Sequence, residues 1–197
     1  MIYADLVVAD LSQLVTCSGP VPRTGPAMKD VGLLEKAWIA GFRGKIVFVG
    51  KEKEFKARVT LSDDARIISG SGLVGLPGLV DCHTHLPFAG DRAGEFSLRL
   101  QGYTYQQLAA MSLGIQTTVK ATREASPEEL KKLCLKRLKT MLLGGTTTVE
   151  AKSGYGLNLR DEIKQLEVVE ELKKLQPISL ISTFMGAHEI PPEFKAD

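Results

Sequence analysis

Two histidines one residue apart, His83 and His85, close the apolar run Gly78-Leu79-Val80-Asp81-Cys82-His83-Thr84-His85. A strand sends alternate side chains to one face, so the two imidazoles are expected to point the same way, near enough to share one metal ion. The chain holds three histidines, and this stretch carries two of them. An isolated His-x-His pair is more often coincidence than a ligand pair, and a motif match by itself is only a hypothesis. Its setting has to decide.

That setting begins with short strands. Residues 2–16 contain Val/Leu-rich pieces, and Gly44-Lys45-Ile46-Val47-Phe48-Val49-Gly50 is a β-branched and aromatic run between glycines; both have the character of strands. Gly19–Met28, rich in Pro and Gly, is expected as a loop, while Val31–Phe42 around the single tryptophan, Trp38, fits a strand or a short helix. Ala65–Ile68 is a further short strand, leading through Ser69-Gly70-Ser71-Gly72 to Leu73. From there longer alternating elements replace the short strands. This places a boundary near residue 73, between a small β-rich, sandwich-like domain (1–73) and a second part (74–197).

In the second part, Ser126-Pro127-Glu128-Glu129 is a capping box with proline at the first helical position, and Leu130, Leu133, Cys134, Leu138, Met141 and Leu142 follow on one face. Gly144-Gly145 ends that helix, and Thr146-Thr147-Thr148-Val149-Glu150 has the profile of a buried parallel strand. A second helix is expected over Asp161–Leu175, with Ile163, Leu166, Val169 and Leu172 at helical spacing before Pro177, and then a strand over Ile178–Phe184. Strand, helix, strand, helix, strand is the repeat of a parallel sheet with right-handed crossovers. The unusual polar residues fall at the C-terminal ends of its strands: His83 and His85 on the first, Glu150, Lys152 and Tyr155 after the second, His188 after the third. In a (β/α)8 barrel that end carries catalysis. The fold expected is therefore α/β, the first three βα units of a metal-dependent (β/α)8 barrel behind a small β-rich domain. The convergence of all three histidines on one sheet edge strengthens the metal reading.

Composition excludes several other functions. With 44% hydrophobic and 24% charged residues, the make-up is that of a soluble globular protein. The net charge of +2 comes from scattered residues rather than a basic stripe, which argues against a nucleic acid partner. Lys131, Lys132, Lys136, Arg137 and Lys139 interleave with leucines and are expected to form the solvated face of the first helix. Cys17, Cys82 and Cys134 contain no Cys-x-x-Cys pair, which fits a reducing cytoplasm better than a disulfide framework or a zinc knuckle. Asp5 and Asp10 interrupt the apolar N-terminus, so neither a signal peptide nor a membrane span is expected.

At the residues quoted, the sequence resembles the imidazolonepropionase family of the amidohydrolase superfamily, metal-dependent enzymes of histidine degradation. The resemblance runs through Asp81-Cys82-His83-Thr84-His85-Leu86-Pro87-Phe88-Ala89-Gly90-Asp91-Arg92, Thr118 to Ser126, Gly145 to Leu157 and Phe184-Met185-Gly186-Ala187-His188-Glu189-Ile190-Pro191-Pro192-Glu193, and is weakest over the first 70 residues. It implies that His83 and His85 hold one Zn2+ or Fe3+ ion, and that Arg92, Tyr105, Tyr155 and His188 contact the substrate, 4-imidazolone-5-propanoate. A guanidinium suits the propanoate carboxylate because it can grip both oxygens. It further implies metal-activated water, ring opening to N-formimidoyl-L-glutamate, and a homodimer in the complete enzyme. Two departures stand out: Ser112-Leu113-Gly114 where the family has a glycine run, and Glu189 where a small residue is common.

Blander roles compete at several positions. Tyr155 can pack a tight turn, Lys152 can be solvated, Asp81 is expected to support the ligands rather than bind metal, and Cys82 to be a buried filler. A barrel needs eight strands and about 250 residues, whereas three strands are legible before Asp197. The family's further metal ligands and its acid–base group belong to later strands, so this chain is expected to be roughly half an enzyme and inactive alone. The alternatives are another amidohydrolase, a deaminase or cyclic-amide hydrolase, or a non-catalytic truncated fragment.

Overall fold

The structure is a computed structural model that describes residues 1–111 and 113–194. Two compact units divide the chain, Met1–Pro77 and Gly78–Asp197.

The first unit is a five-stranded sheet built from β1 (Ile2–Val15), β2 (Leu33–Phe42), β3 (Lys45–Lys51), β4 (Val59–Ser69) and the short β5 (Val74–Gly75), with α1 (Glu52–Arg58) between β3 and β4. Hydrogen bonding runs in the order β3-β2-β1-β4, and β5 also pairs with β1. The stretch left open around Trp38 is strand β2, held antiparallel between β1 and β3. The apolar pieces of residues 2–16 are one continuous strand. Its buried residues Ala4, Val7, Leu11 and Leu14 do not alternate; the pairing with β4 shifts register between Ala4 and Leu6, and that with β2 between Val8 and Leu11, where Asp10 has φ 57°. Phe55, the one buried residue of α1, packs on Trp38 and Phe48 with ring centroids at 4.8 and 5.7 Å.

The second unit contains β6 (Leu79–Thr84), α2 (Ala93–Leu100), α3 (Tyr105–Ala110), α4 (Ile115–Glu124), α5 (Pro127–Leu143), β7 (Thr146–Lys152), α6 (Leu159–Leu172) and β8 (Ser179–Thr183). The three strands pair in parallel in the order β6-β7-β8. Ser126 caps α5, its hydroxyl accepting the Glu129 N–H at 3.2 Å, and Leu130, Cys134 and Leu138 are buried against the central strand's Val149 and Ala151. Leu133 and Met141 reach this core from its margin, while Leu142 is exposed.

Helix α6 starts two residues before the predicted Asp161, because Asn158 serves as the cap; its side-chain oxygen accepts the Asp161 N–H at 2.9 Å. It ends at Leu172 rather than Leu175. Its inner face is Gln165, Val168, Val169 and Leu172, and Ile163, assigned to that face by spacing, is exposed. Strand β6 lies at an edge of the sheet, so Leu79, Val80 and Cys82 are exposed; Cys82 is therefore not the buried filler expected. The three short helices between β6 and α5 were not evident from hydrophobic spacing. Among the described residues, no helix is long and apolar enough to cross a membrane.

Candidate active site

His83 is exposed near the end of β6, and its backbone N–H donates to Asp81 Oδ1 at 3.1 Å. Asp81 thus steadies the strand end beneath the histidines. His85 follows the strand, its ring centroid 5.6 Å from that of His83. From beyond β8, the His188 ring stacks on His85 at 4.4 Å with planes 21° apart. Tyr155, from the loop after β7, stands 4.9 Å from His85 and 5.5 Å from His188. Four of the six expected site residues therefore meet at one end of the parallel sheet, His83 and His85 from the end of β6, Tyr155 from beyond β7 and His188 from beyond β8.

The surroundings of His85 suit a neutral imidazole. Burial, then the neighbouring His188, His83 and Lys152, hold its pKa below the ordinary value, with the Ser153 backbone pulling the other way. Its Nδ1 is buried and has no hydrogen-bond partner among the described residues. An uncharged ring with an unmatched nitrogen is the state a metal ligand needs. Two imidazoles alone fall short of the three protein ligands usual for catalytic zinc. No group of three or more His, Cys, Asp or Glu side chains able to hold a metal comes together among the described residues.

Arg92 and Tyr155 share a cavity of about 370 Å³ with Phe88, Gly90, Thr118 and Arg137. Arg92 is anchored rather than free: its Nε donates to Glu95 Oε2 at 2.7 Å. Glu95 is buried, and its other oxygen accepts the Gly114 N–H at 2.9 Å and the Thr117 hydroxyl at 3.1 Å. Burial pushes the Tyr155 phenol up despite the nearby Arg92, so it stays protonated and able to donate. Tyr105 lies exposed on α3 and does not line this cavity.

Lys152 is not solvated. Its side chain is 12% exposed and ion-pairs with Glu150, which also accepts the Thr183 hydroxyl at 2.9 Å. Lys152 and then Thr183 hold the Glu150 carboxyl below the usual range. Glu189 turns its carboxylate onto the Ile190 N–H at 3.2 Å. Ser112 lies outside the described residues; Gly114, just after it, has φ 87° and begins α4.

Over 192 residues the chain is 50% identical to an imidazolonepropionase of Symbiobacterium thermophilum, covering 98% of this chain and 45% of that one. Along nearly all of its length it is similar to imidazolonepropionases. Similar matches are to imidazolonepropionases of Alkaliphilus metalliredigens (46% identity, 98% of this chain, 46% of the relative) and Geobacillus kaustophilus (45% identity, 98% and 46%). The chain thus spans about half the length of the curated relatives it matches. No protein-family model matches it.

Among solved structures it resembles an atrazine chlorohydrolase variant from Arthrobacter aurescens complexed with zinc and atraton (TM-score 0.54, 19% identity, 90% of this chain, 35% of that one). It also resembles an adenosine deaminase from Xanthomonas campestris with bound zinc (TM-score 0.52, 22% identity, 86% and 32%). These likenesses are of fold alone.

Several residues that support this site carry no mark in the sequence pattern. Arg137, assigned to the solvated face of α5, turns inward: its Nη1 donates to the carbonyls of Leu86 at 3.1 Å and Phe88 at 2.7 Å, and its guanidinium lies 3.5 Å over the Phe88 ring. Glu95 and Glu162 are buried carboxylates; Glu95 accepts from one backbone N–H and two side chains, and Glu162 from three backbone N–H groups. Backbone donors carry no residue-type signature. The one hint for Glu162 was its place at the start of a helix just after a glycine-rich loop.

Proposed function

We propose that this chain supplies one wall of the active site of a metal-dependent hydrolase that opens 4-imidazolone-5-propanoate to N-formimidoyl-L-glutamate. The observation that carries the reading is the gathering of His83, His85, Tyr155 and His188 at one sheet end, in a chain 50% identical to an imidazolonepropionase. His83 and His85 would hold one zinc or iron ion. When bound, such an ion activates water and polarises a carbonyl.

The remaining roles belong to this chain's own side chains. Arg92, its Nε committed to Glu95, keeps its Nη groups for the propanoate carboxylate. Tyr155 donates its protonated hydroxyl to the substrate, and Tyr105, exposed on α3, belongs to the same set by family resemblance. His188 donates Nδ1–H to the Gly154 carbonyl at 2.9 Å, which leaves Nε2 of the neutral ring to accept a ring N–H. Hydrolysis breaks the ring bond between carbonyl carbon and nitrogen, water supplies the oxygen, and the released nitrogen takes the proton.

We place the parallel sheet in a (β/α)8 barrel completed by strands from the other half of the family's length. That half would bring the remaining metal ligands and the acid–base group, so the chain alone is inactive. The complete enzyme is a cytoplasmic homodimer in this reading.

The test is metal-dependent consumption of 4-imidazolone-5-propanoate by protein spanning the family's full length. Full turnover in its His83→Ala and His85→Ala variants would refute the metal assignment. Turnover of a different ring and none of this one would move the reading to another amidohydrolase.

A further inference from the structure

The loop between β7 and α6 is held from below by one buried carboxylate. Glu162, in the first turn of α6, is 2% exposed. Its Oε2 accepts the Gly154 N–H at 3.0 Å, and its Oε1 accepts those of Gly156 and Leu157, both at 2.8 Å. Gln165 Oε1, one turn on, accepts the Tyr155 N–H at 3.4 Å. Four successive amides, from Gly154 to Leu157, are thereby drawn toward α6. The loop accepts an unusual backbone to achieve this, with φ 114° at Gly154 and 52° at Leu157.

Helix capping would be satisfied without this arrangement. Asn158 already caps α6 through the Asp161 N–H, so a carboxylate one turn in is not needed for that purpose. What the clamp adds lies on the loop's other side. With its N–H fixed on Glu162, Gly154 directs its carbonyl at His188 Nδ1, 2.9 Å away. A carbonyl only accepts, so Nδ1 carries the proton and Nε2 of the neutral ring is bare. A Cβ at Gly154 would stand 3.0 Å from the His188 Cβ, which shows how closely the loop backs that side chain.

We infer that Glu162 is a positioning residue: through Gly154 it fixes the orientation and the Nδ1–H tautomer of His188, and so decides which nitrogen faces the substrate. Its catalytic consequence rests on the functional reading above; the tautomer does not.

The test uses the 197-residue chain labelled with 15N-histidine, which holds three histidines. Long-range proton–nitrogen spectra are recorded where the imidazoles are neutral, with His188 assigned through His188→Asn. Wild-type His188 should be predominantly Nδ1–H. Glu162→Gln loses an acceptor because an amide offers one oxygen; provided its circular dichroism matches wild type, His188 should shift toward Nε2–H while the other two histidines hold their signals. Glu162→Asp, which keeps both acceptor oxygens, should recover part of the preference, and it supplies the comparison if the Gln variant does not fold. A wild-type His188 in the Nε2–H form would overturn the inference. So would an unchanged tautomer in a folded variant whose Gly154 amide signal has moved. Failure of the functional reading shows separately, as full-length protein that leaves the substrate intact while the tautomer result stands.

Discussion

The imidazoles of His85 and His188 lie 4.4 Å apart, centroid to centroid, and nearly parallel. Their nitrogens have different commitments, since His188 Nδ1 is spent on Gly154 whereas His85 Nδ1 has no partner among the described residues. In protein of the family's full length, His85→Ala is expected to remove bound metal along with turnover. His188→Ala is expected to keep the metal and lose turnover. Elemental analysis beside an activity assay separates the two. The loss for His85→Ala should exceed the roughly 10–100-fold typical of residues that merely support a ligand.

Glu95 ties Arg92 to the start of α4, and its removal should be felt in both places. Burial raises its pKa, but the Gly114 N–H, Arg92 and Thr117 outweigh burial and hold it below the ordinary 4.5. A carboxyl lowered on folding contributes its full stability above the ordinary value and loses it as pH falls through the lowered one. Unfolding midpoints should therefore drop below about pH 4.5, and Glu95→Gln should flatten that part of the profile. At neutral pH the same substitution leaves buried donors poorly matched, at a cost of about 1–3 kcal/mol, measurable by urea unfolding.

Thiol chemistry should divide the cysteines. Cys17 and Cys82 are exposed, whereas burial pushes the Cys134 thiol up to about 11. An alkylating reagent at neutral pH is expected to modify two residues in folded protein and all three after denaturation, read by mass spectrometry.

Two substitutions in α5 probe the frame beneath the site. Ser126→Ala removes the cap on Glu129 and should cost about 1 kcal/mol. Leu138→Ala, at a position 1% exposed, should cost about 2–5 kcal/mol. Thermal or urea unfolding of each variant checks the order.

Arg137→Lys is expected to behave as a loss rather than a conservative change. A lysine ammonium lacks the planar fork that reaches two carbonyls while stacking on Phe88. The predicted result is lower stability together with weaker substrate binding, because Arg137 and Phe88 line the cavity with Arg92. KM rising with metal content unchanged would be the kinetic signature.

What the sequence disclosed follows from how each feature is encoded. The capped helix α5 and the strands β7 and β8 were legible because periodicity, caps and β-branched runs are local signals. The meeting of His83, His85, Tyr155 and His188 was legible because strand ends in a parallel sheet share an edge. Helices α2 to α4 were not, since at six to ten residues each they are too short for a helical repeat to stand out. Strand β1 looked broken because its pairing shifts register against both β4 and β2, so its buried residues do not alternate. Arg137 was misjudged because position on a helix does not tell whether a long side chain folds back onto carbonyls. The shared Arg92 and Tyr155 cavity depends on contacts distant in sequence, which spacing does not reveal.

The segment just after the histidine strand has no regular structure of its own, yet it is fastened on both sides. Cys134 and Arg137 of α5 hold the Leu86 and Phe88 carbonyls, and the Thr122 hydroxyl of α4 accepts the Ala89 N–H at 3.1 Å. Its motion is thus slaved to helix opening. Amides around Ala89 should exchange with deuterium on the timescale of α5, in one cooperative unit, rather than at the rate of a surface loop. The histidines then keep their aim for as long as that helix stays closed.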